Sequence, residues 1–142
     1  MKAITAKRPE AEKPLTRSET MARVRSRDTS PERAVRRILT DLGYRYRLHR
    51  ADLPGTPDIA FIGRRKALFV HGCFWHGHNC ARGSRAPKTN PEYWRTKIAR
   101  NRARDLDVAA ALDRLGWSAM TVWECELRDV AAVSMRLALW LR

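Results

Sequence analysis

Eleven consecutive residues constrain this chain more than any others: Val70-His71-Gly72-Cys73-Phe74-Trp75-His76-Gly77-His78-Asn79-Cys80. They hold three histidines, two cysteines and two large aromatic side chains. Imidazole and thiolate at such short spacing are the ingredients of a tetrahedral zinc site. Cys73, His78 and Cys80 supply three ligands, and Cys125, the third cysteine of the chain, closes the set from a distance. A Cys₃His set is closed and four-coordinate, as in structural rather than catalytic zinc. The fold must therefore bring the stretch around Cys125 against the loop that follows His71. The bland alternative is three unconnected buried thiols.

The elements on either side can be read from pattern. Ser30-Pro31-Glu32 is a helix start, with a side-chain cap, a proline at the first helical position and an acid in the first turn. Ala34, Val35, Ile38, Leu39 and Leu42 recur on one face of that helix, and Gly43 ends it. Residues 44–49 alternate as a strand. Leu53-Pro54-Gly55-Thr56-Pro57-Asp58 is a turn leading into a second strand, residues 59–62, and residues 63–66 turn the chain into an apolar strand, 67–71. Such a hairpin predicts that Asp58 and His71 face each other. Asn90-Pro91-Glu92 opens a long helix running to Leu115, with Trp94, Ile98, Leu112 and Leu115 on its inner face. Residues 117–124 read as a central strand that delivers Cys125. Asp129 to Leu141 reads as a final helix packed through Val130, Val133, Leu137 and Leu141. The order implies an α/β sandwich in a single domain, residues 20–142, after a basic arm, residues 1–19.

Charge narrows the chemistry. The chain carries 29 Lys and Arg against 15 acids, a net charge of +14, which points to a polyanionic partner, nucleic acid first. The arm either orders against phosphates or is a solvated tail. No apolar run approaches the roughly 20 residues of a membrane span, and the N-terminus lacks the apolar core of a signal peptide. Three cysteines suit metal binding in a reducing cytosol better than a disulfide framework. A carboxylate at the mouth of a Gly- and Pro-rich turn suits a hard cation such as Mg²⁺, which makes Asp58 a metal candidate. Phosphodiester hydrolysis needs such a cation and a group to handle protons; His71 or His76 can serve, with Glu32 holding a hydrated metal or orienting a histidine. Phe74 and Trp75 are candidates for apolar wedges between base steps, where a mismatched step is cheaper to open. Trp94 reads either as a third wedge or as helix packing.

Three of these segments carry a family resemblance. Leu53 to Asp58, His71-Gly72-Cys73-Phe74-Trp75-His76 and Val122-Trp123-Glu124-Cys125-Glu126-Leu127-Arg128 together resemble the very short patch repair (Vsr) DNA mismatch endonucleases. The resemblance implies a restriction-endonuclease-like fold, a central mixed sheet flanked by helices with a structural zinc. It implies a monomeric, cytoplasmic, nucleoid-associated enzyme that uses Mg²⁺ to nick double-stranded DNA 5′ to the T of a T·G mismatch. Such mismatches arise when 5-methylcytosine deaminates, which links the family to a cytosine-5 DNA methyltransferase. It assigns the magnesium to Asp58 and the backbone carbonyl of Val70, catalysis to His76, and phosphate or water contacts to His71 and Glu32. It assigns zinc to Cys73, His78, Cys80 and Cys125, and intercalation to Phe74, Trp75 and Trp94. Two positions depart from the pattern. Val70 replaces a threonine, which leaves the carbonyl in place, and Gly77 replaces a further histidine, which implies a looser loop.

Two other readings fit the residues: a restriction-like endonuclease acting on other DNA, and a zinc-stabilised DNA-binding module without catalysis. The first differs in base recognition. The second predicts that replacing Asp58 leaves function intact.

Overall fold

The computed structural model describes residues 29–81, 83–84 and 89–142. The expected basic arm, residues 1–19, and the expected domain boundary after it lie outside the described residues. Helix α1 (Ser30–Asp41) begins at the Ser-Pro-Glu pattern, but its cap is Thr29, whose Oγ1 accepts a hydrogen bond from the Glu32 N–H at 3.4 Å. Val35, Ile38 and Leu39 are buried along one face, as their spacing demands.

Among the described residues four strands form one mixed sheet in chain order: β1 (Arg47–Leu48), β2 (Ile59–Phe61), β3 (Lys66–His71) and β4 (Ser118–Trp123). The first three pair antiparallel and β4 joins β3 in parallel. β1 keeps two of the six residues its alternation predicts. Only Arg47 and Leu48 find partners on β2, itself three residues long. β4 lies at an edge, not at the centre, and β3 takes the interior position. Accordingly Ala67, Leu68 and Phe69 are all buried, the unbroken run of a strand covered on both faces. Ser118 and Ala119 at the start of β4 are exposed.

Among the described residues, two helices cover one face of the sheet and one covers the other. Val35, Ile38 and Leu39 of α1 pack with Ile59, Phe61, Leu68 and Val122 of the sheet and with Val133, Leu137 and Leu141 of α3 (Val130–Leu141). On the opposite face Leu112 of α2 (Pro91–Arg114) packs on Ala67 and Phe69. Side chains alternate along a strand, so His71, two residues beyond Phe69, belongs to the α2 side. Leu115 and Val130, expected to line buried faces, are 54% and 51% exposed. Leu115 is the C-cap of α2 and Val130 is the first residue of α3, so each lies where its helix is leaving the sheet. Arg64 Nε donates to Leu141 O at 3.0 Å and Lys66 Nζ donates to Trp140 O. These hairpin cations meet the carbonyl end of α3, where positive charge is favoured. Truncating a core leucine such as Leu68 costs about 2–5 kcal/mol. Leu68 lies on the strand that ends at His71, so the core also fixes the site.

Candidate functional site

The β2–β3 register differs from the predicted one by two residues. Ile59 pairs with Leu68 and Phe61 with Lys66, which places Asp58 opposite Phe69 rather than His71. The reason lies in the turn: Ile62, read as strand, is a turn residue whose carbonyl accepts from the Arg65 N–H at 3.2 Å. Asp58 nonetheless reaches the end of β3, because its Oδ2 accepts from the Val70 N–H at 2.7 Å. The approach to Asp58 needs glycine at position 55. Gly55 has φ +73°, and a Cβ there would lie 2.5 Å from Val108 Cγ1 on α2. Burial first, then the neighbouring Glu32 carboxyl, raises the Asp58 carboxyl to about 7, against the lowering effect of the Val70 N–H.

Glu32, His49 and Asp58 present one ligand atom each, all within 4.8 Å of one another. Glu32 Oε2 lies 3.2 Å from His49 Nε2. His49 escaped the sequence reading, since nothing in a strand-like alternation marks its last member as a site residue.

A second group lies at the end of β3. The rings of His71 and His76 are parallel within 3° with centroids 3.7 Å apart, and His76 Nδ1 sits 2.6 Å from Asp105 Oδ2. His71 Nδ1 lies 3.9 Å from the same oxygen and is the buried side-chain nitrogen left without a hydrogen bond among the described residues. Burial, then the adjacent His76, lowers His71 to about 4, so it is neutral at physiological pH. These groups lie within metal-binding distance. Imidazole lone pairs lie in the ring plane, however, and two parallel planes do not converge on one ion. The arrangement suits proton handling better. Asp105 was missed too, although α2 carries a legible signal. Ile98, Asn101, Asp105, Val108 and Leu112 recur at helical spacing, so the two polar members interrupt an inward-facing stripe.

Glu32, Asp58, Val70, His71, His76 and Asp105 line one cleft of about 620 Å³, which also takes in Thr29 and Ser30 at the start of α1. Unpaired N–H groups and the dipole make a helix start an anion site.

The four expected zinc ligands also come together. Cys73 Sγ, a His78 ring nitrogen, Cys80 Sγ and Cys125 Sγ lie within 4.8 Å of one another. Four soft donors at this separation fit tetrahedral coordination, in which sulfurs sit about 2.3 Å from zinc. The Cys125 N–H donates to Cys73 Sγ and the Gly83 N–H to Cys80 Sγ, both at 3.4 Å. Without a metal, burial pushes the Cys73 thiol to about 12. Cys125 is held by the 3₁₀ turn Glu124–Arg128, in which Glu126 accepts from the Trp123 N–H at 3.1 Å and pairs with Arg136 of α3. Trp123 joins the two centres. It stacks on His78 at 4.2 Å and meets His71 edge-on at 5.3 Å.

Phe74, Trp75 and Trp94 form one cluster, with centroids 5.1 to 5.8 Å apart. Trp94 is buried at its base, Phe74 and Trp75 are half-buried, and the adjacent Tyr93 is exposed. Asn101 Nδ2 anchors the loop by donating to Trp75 O at 2.8 Å. Gly77 does not loosen this loop. It has φ +61°, and a Cβ there would lie 2.8 Å from Ile98 Cγ2, so glycine lets the loop close onto α2.

Comparison with known proteins shows the family. The family model described as DNA mismatch endonuclease Vsr matches residues 10–82. The Type II nicking enzyme V.XorIIP of Xanthomonas oryzae pv. oryzae is 56% identical over 124 residues, 87% of this chain and 90% of that protein. The Type II nicking enzyme V.NmeAIP of Neisseria meningitidis is 40% identical, covering 85% of this chain and 86% of its own length. The DNA mismatch endonuclease Vsr of Escherichia coli strain K12 is 39% identical over 131 residues, 89% of this chain and 83% of that protein.

Proposed function

This chain belongs to the Vsr family of DNA mismatch endonucleases, and from that premise we propose that it nicks one strand of a duplex 5′ to the T of a T·G mismatch. The observation that carries the proposal is a single cleft in which Asp58, Glu32 and the His76–Asp105 pair meet at a helix N-terminus. The chain's net charge of +14 supports a DNA substrate. The proposal includes a restriction-endonuclease-like fold, a monomeric enzyme of the bacterial cytoplasm, and service to genomes marked by a cytosine-5 methyltransferase. Among the described residues no helix is long and apolar enough to cross a membrane.

Asp58 fits a magnesium site, since it is a largely buried carboxyl with a second carboxyl, that of Glu32, within 4.8 Å. Asp58 and the Val70 carbonyl would hold the ion. Bound there, Mg²⁺ supplies charge that neutralises phosphate oxygens and acidifies water. The residues around it manage protons and position. A carboxylate only accepts hydrogen bonds, so Asp105 fixes the proton of His76 on Nδ1 and leaves Nε2 as the base. His71, neutral and with an unmet Nδ1, supplies a hydrogen-bonding group to the phosphate or to ordered water. Glu32 orients water beside Asp58. The start of α1 receives the phosphate. Cys73, His78, Cys80 and Cys125 hold a structural zinc that ties the aromatic loop to the end of β4. Phe74 and Trp75, raised on Trp94, enter the duplex beside the mismatch.

The test is cleavage of a labelled duplex carrying one T·G mismatch in randomised flanks, beside its matched control, with and without Mg²⁺. A Mg²⁺-dependent nick confined to the T strand is expected. Equal cutting of both duplexes would point to a restriction-like enzyme, and no cutting by folded, zinc-loaded protein to a binding module.

A further inference from the structure

The structure assigns a role to His49 that the active-site reading leaves open. We propose that Glu32, His49 and Asp58 form one mixed nitrogen–oxygen ligand set, with His49 as the nitrogen ligand, that takes a divalent transition ion such as Mn²⁺ in preference to Mg²⁺. This rests on the reading that a cation sits at Asp58, and it changes which cation suits the site.

Three observations converge. The donor atoms are already gathered, with Glu32 Oε2 3.2 Å from His49 Nε2 and all three within 4.8 Å. The three belong to different segments: the first turn of α1, the residue after β1 and the residue before β2. Their meeting is therefore a product of the tertiary fold, not of local sequence.

The backbone supplies the second observation. His49 has φ +48°, a left-handed conformation that L-residues rarely adopt. Its N–H donates to Asp58 O at 3.1 Å, so the strained residue is clamped to the residue whose carboxyl it accompanies. Strain of this kind gathers at sites where a side chain must be aimed. Here it sends the His49 ring toward Glu32, where the side chains of the pair are 14% and 9% exposed.

Donor chemistry is the third. Carboxylate and carbonyl oxygens suit Mg²⁺, whereas an imidazole in the same set shifts preference toward transition ions. Glu32 and Asp58 both line the cleft, so an ion reaches the set from the side on which a phosphate would bind. The competing account is that His49 merely satisfies Glu32 by a hydrogen bond.

Pulsed electron paramagnetic resonance of Mn²⁺ added to the full zinc-loaded chain separates the two. The expected result is nitrogen coupling from one directly bound imidazole, lost in His49→Gln and retained in His76→Ala. The ratio of Mn²⁺ to Mg²⁺ affinity, by calorimetry, is expected to fall about tenfold in His49→Gln while Mg²⁺ affinity stays within about threefold. Mn²⁺ bound without nitrogen coupling, coupling unchanged in His49→Gln, or no Mn²⁺ bound overturns the proposal. Nicking of the T·G duplex without nitrogen coupling removes this inference alone. Nitrogen coupling without nicking removes the activity reading alone.

Discussion

His76 Nδ1 lies 2.6 Å from Asp105 Oδ2, inside the cleft that Asp58 and Glu32 also line. Asp105 reaches it from the middle of α2, whereas His76 sits in the loop after β3. The contact therefore fixes both the ring's orientation and the nitrogen that carries its proton.

Asp105→Asn tests that role. Asparagine preserves size but offers an N–H that can hold His76 in the wrong tautomer. Cleavage of the T·G duplex is expected to fall about 10²–10⁴-fold, the usual worth of an oriented acid–base group. Mg²⁺ affinity and melting temperature should stay near wild type. A loss of metal binding equal to the loss of rate would move Asp105 from proton handling to metal positioning.

Cys125→Ser tests the cysteine centre. Cys125 brings a fourth donor from just beyond β4 to the loop that holds Cys73, His78 and Cys80, so its loss would remove a long-range tie. Zinc content should fall from one equivalent, and the melting temperature with it, under conditions where any remaining folded protein still nicks DNA. Normal zinc content with unchanged stability would remove Cys125 from the set.

The sequence made this centre legible because its ligands are of rare type. Cysteine occurs three times in the chain, and all three thiols share a site with a histidine. Asp58, His71 and His76 were legible for a related reason: they flank turns and strand ends that pattern can place. His49 and Asp105 were not. Their roles depend on which elements meet, and pattern within a strand or helix carries little of that. The register error at Asp58 has the same origin. Whether Ile62 ends a strand or begins a turn is decided by pairing with β3, and Ile62 is exposed despite its apolar side chain.

Gly77→Ala tests whether the aromatic loop is packed or loose. The substitution adds left-handed strain and forces a methyl toward Ile98 and Arg102. Unfolding free energy is expected to drop by about 1–3 kcal/mol in denaturant titrations. Ile98→Ala in the same chain should recover the steric part and leave the backbone part. An unchanged stability would mean that the loop stands off α2.

Phe74→Ala with Trp75→Ala tests the wedge. If these side chains enter the duplex, binding to the T·G substrate should weaken by at least about tenfold, and binding to a matched duplex much less, because unstacking is where the contact is used. Equal losses on both duplexes would assign the pair to packing on Trp94.

Asp58 and His71 link the stability of the Mg²⁺-free chain to pH in opposite senses. Asp58 rises to about 7 in the fold from an ordinary 3.8, so the unfolded chain gives up that proton first. Its contribution is whole below about pH 4 and is lost as pH climbs through about 7. His71 falls to about 4 from an ordinary 6.5, so the unfolded chain takes up that proton first. Its contribution is whole above about pH 6.5 and is lost as pH drops through about 4. Between those limits the two oppose each other. Relative to wild type, Asp58→Asn should gain melting temperature as pH rises from about 4.5 to 7, and His71→Gln should gain as pH falls. Taking the difference from wild type cancels the pH dependence of the cysteine cluster, which both variants retain. Added Mg²⁺ should reverse the sign at Asp58, since an ion that binds the carboxylate stabilises the fold more as the proton leaves. Variant curves parallel to wild type would show that neither group is held away from its ordinary range, and would remove burial as the cause.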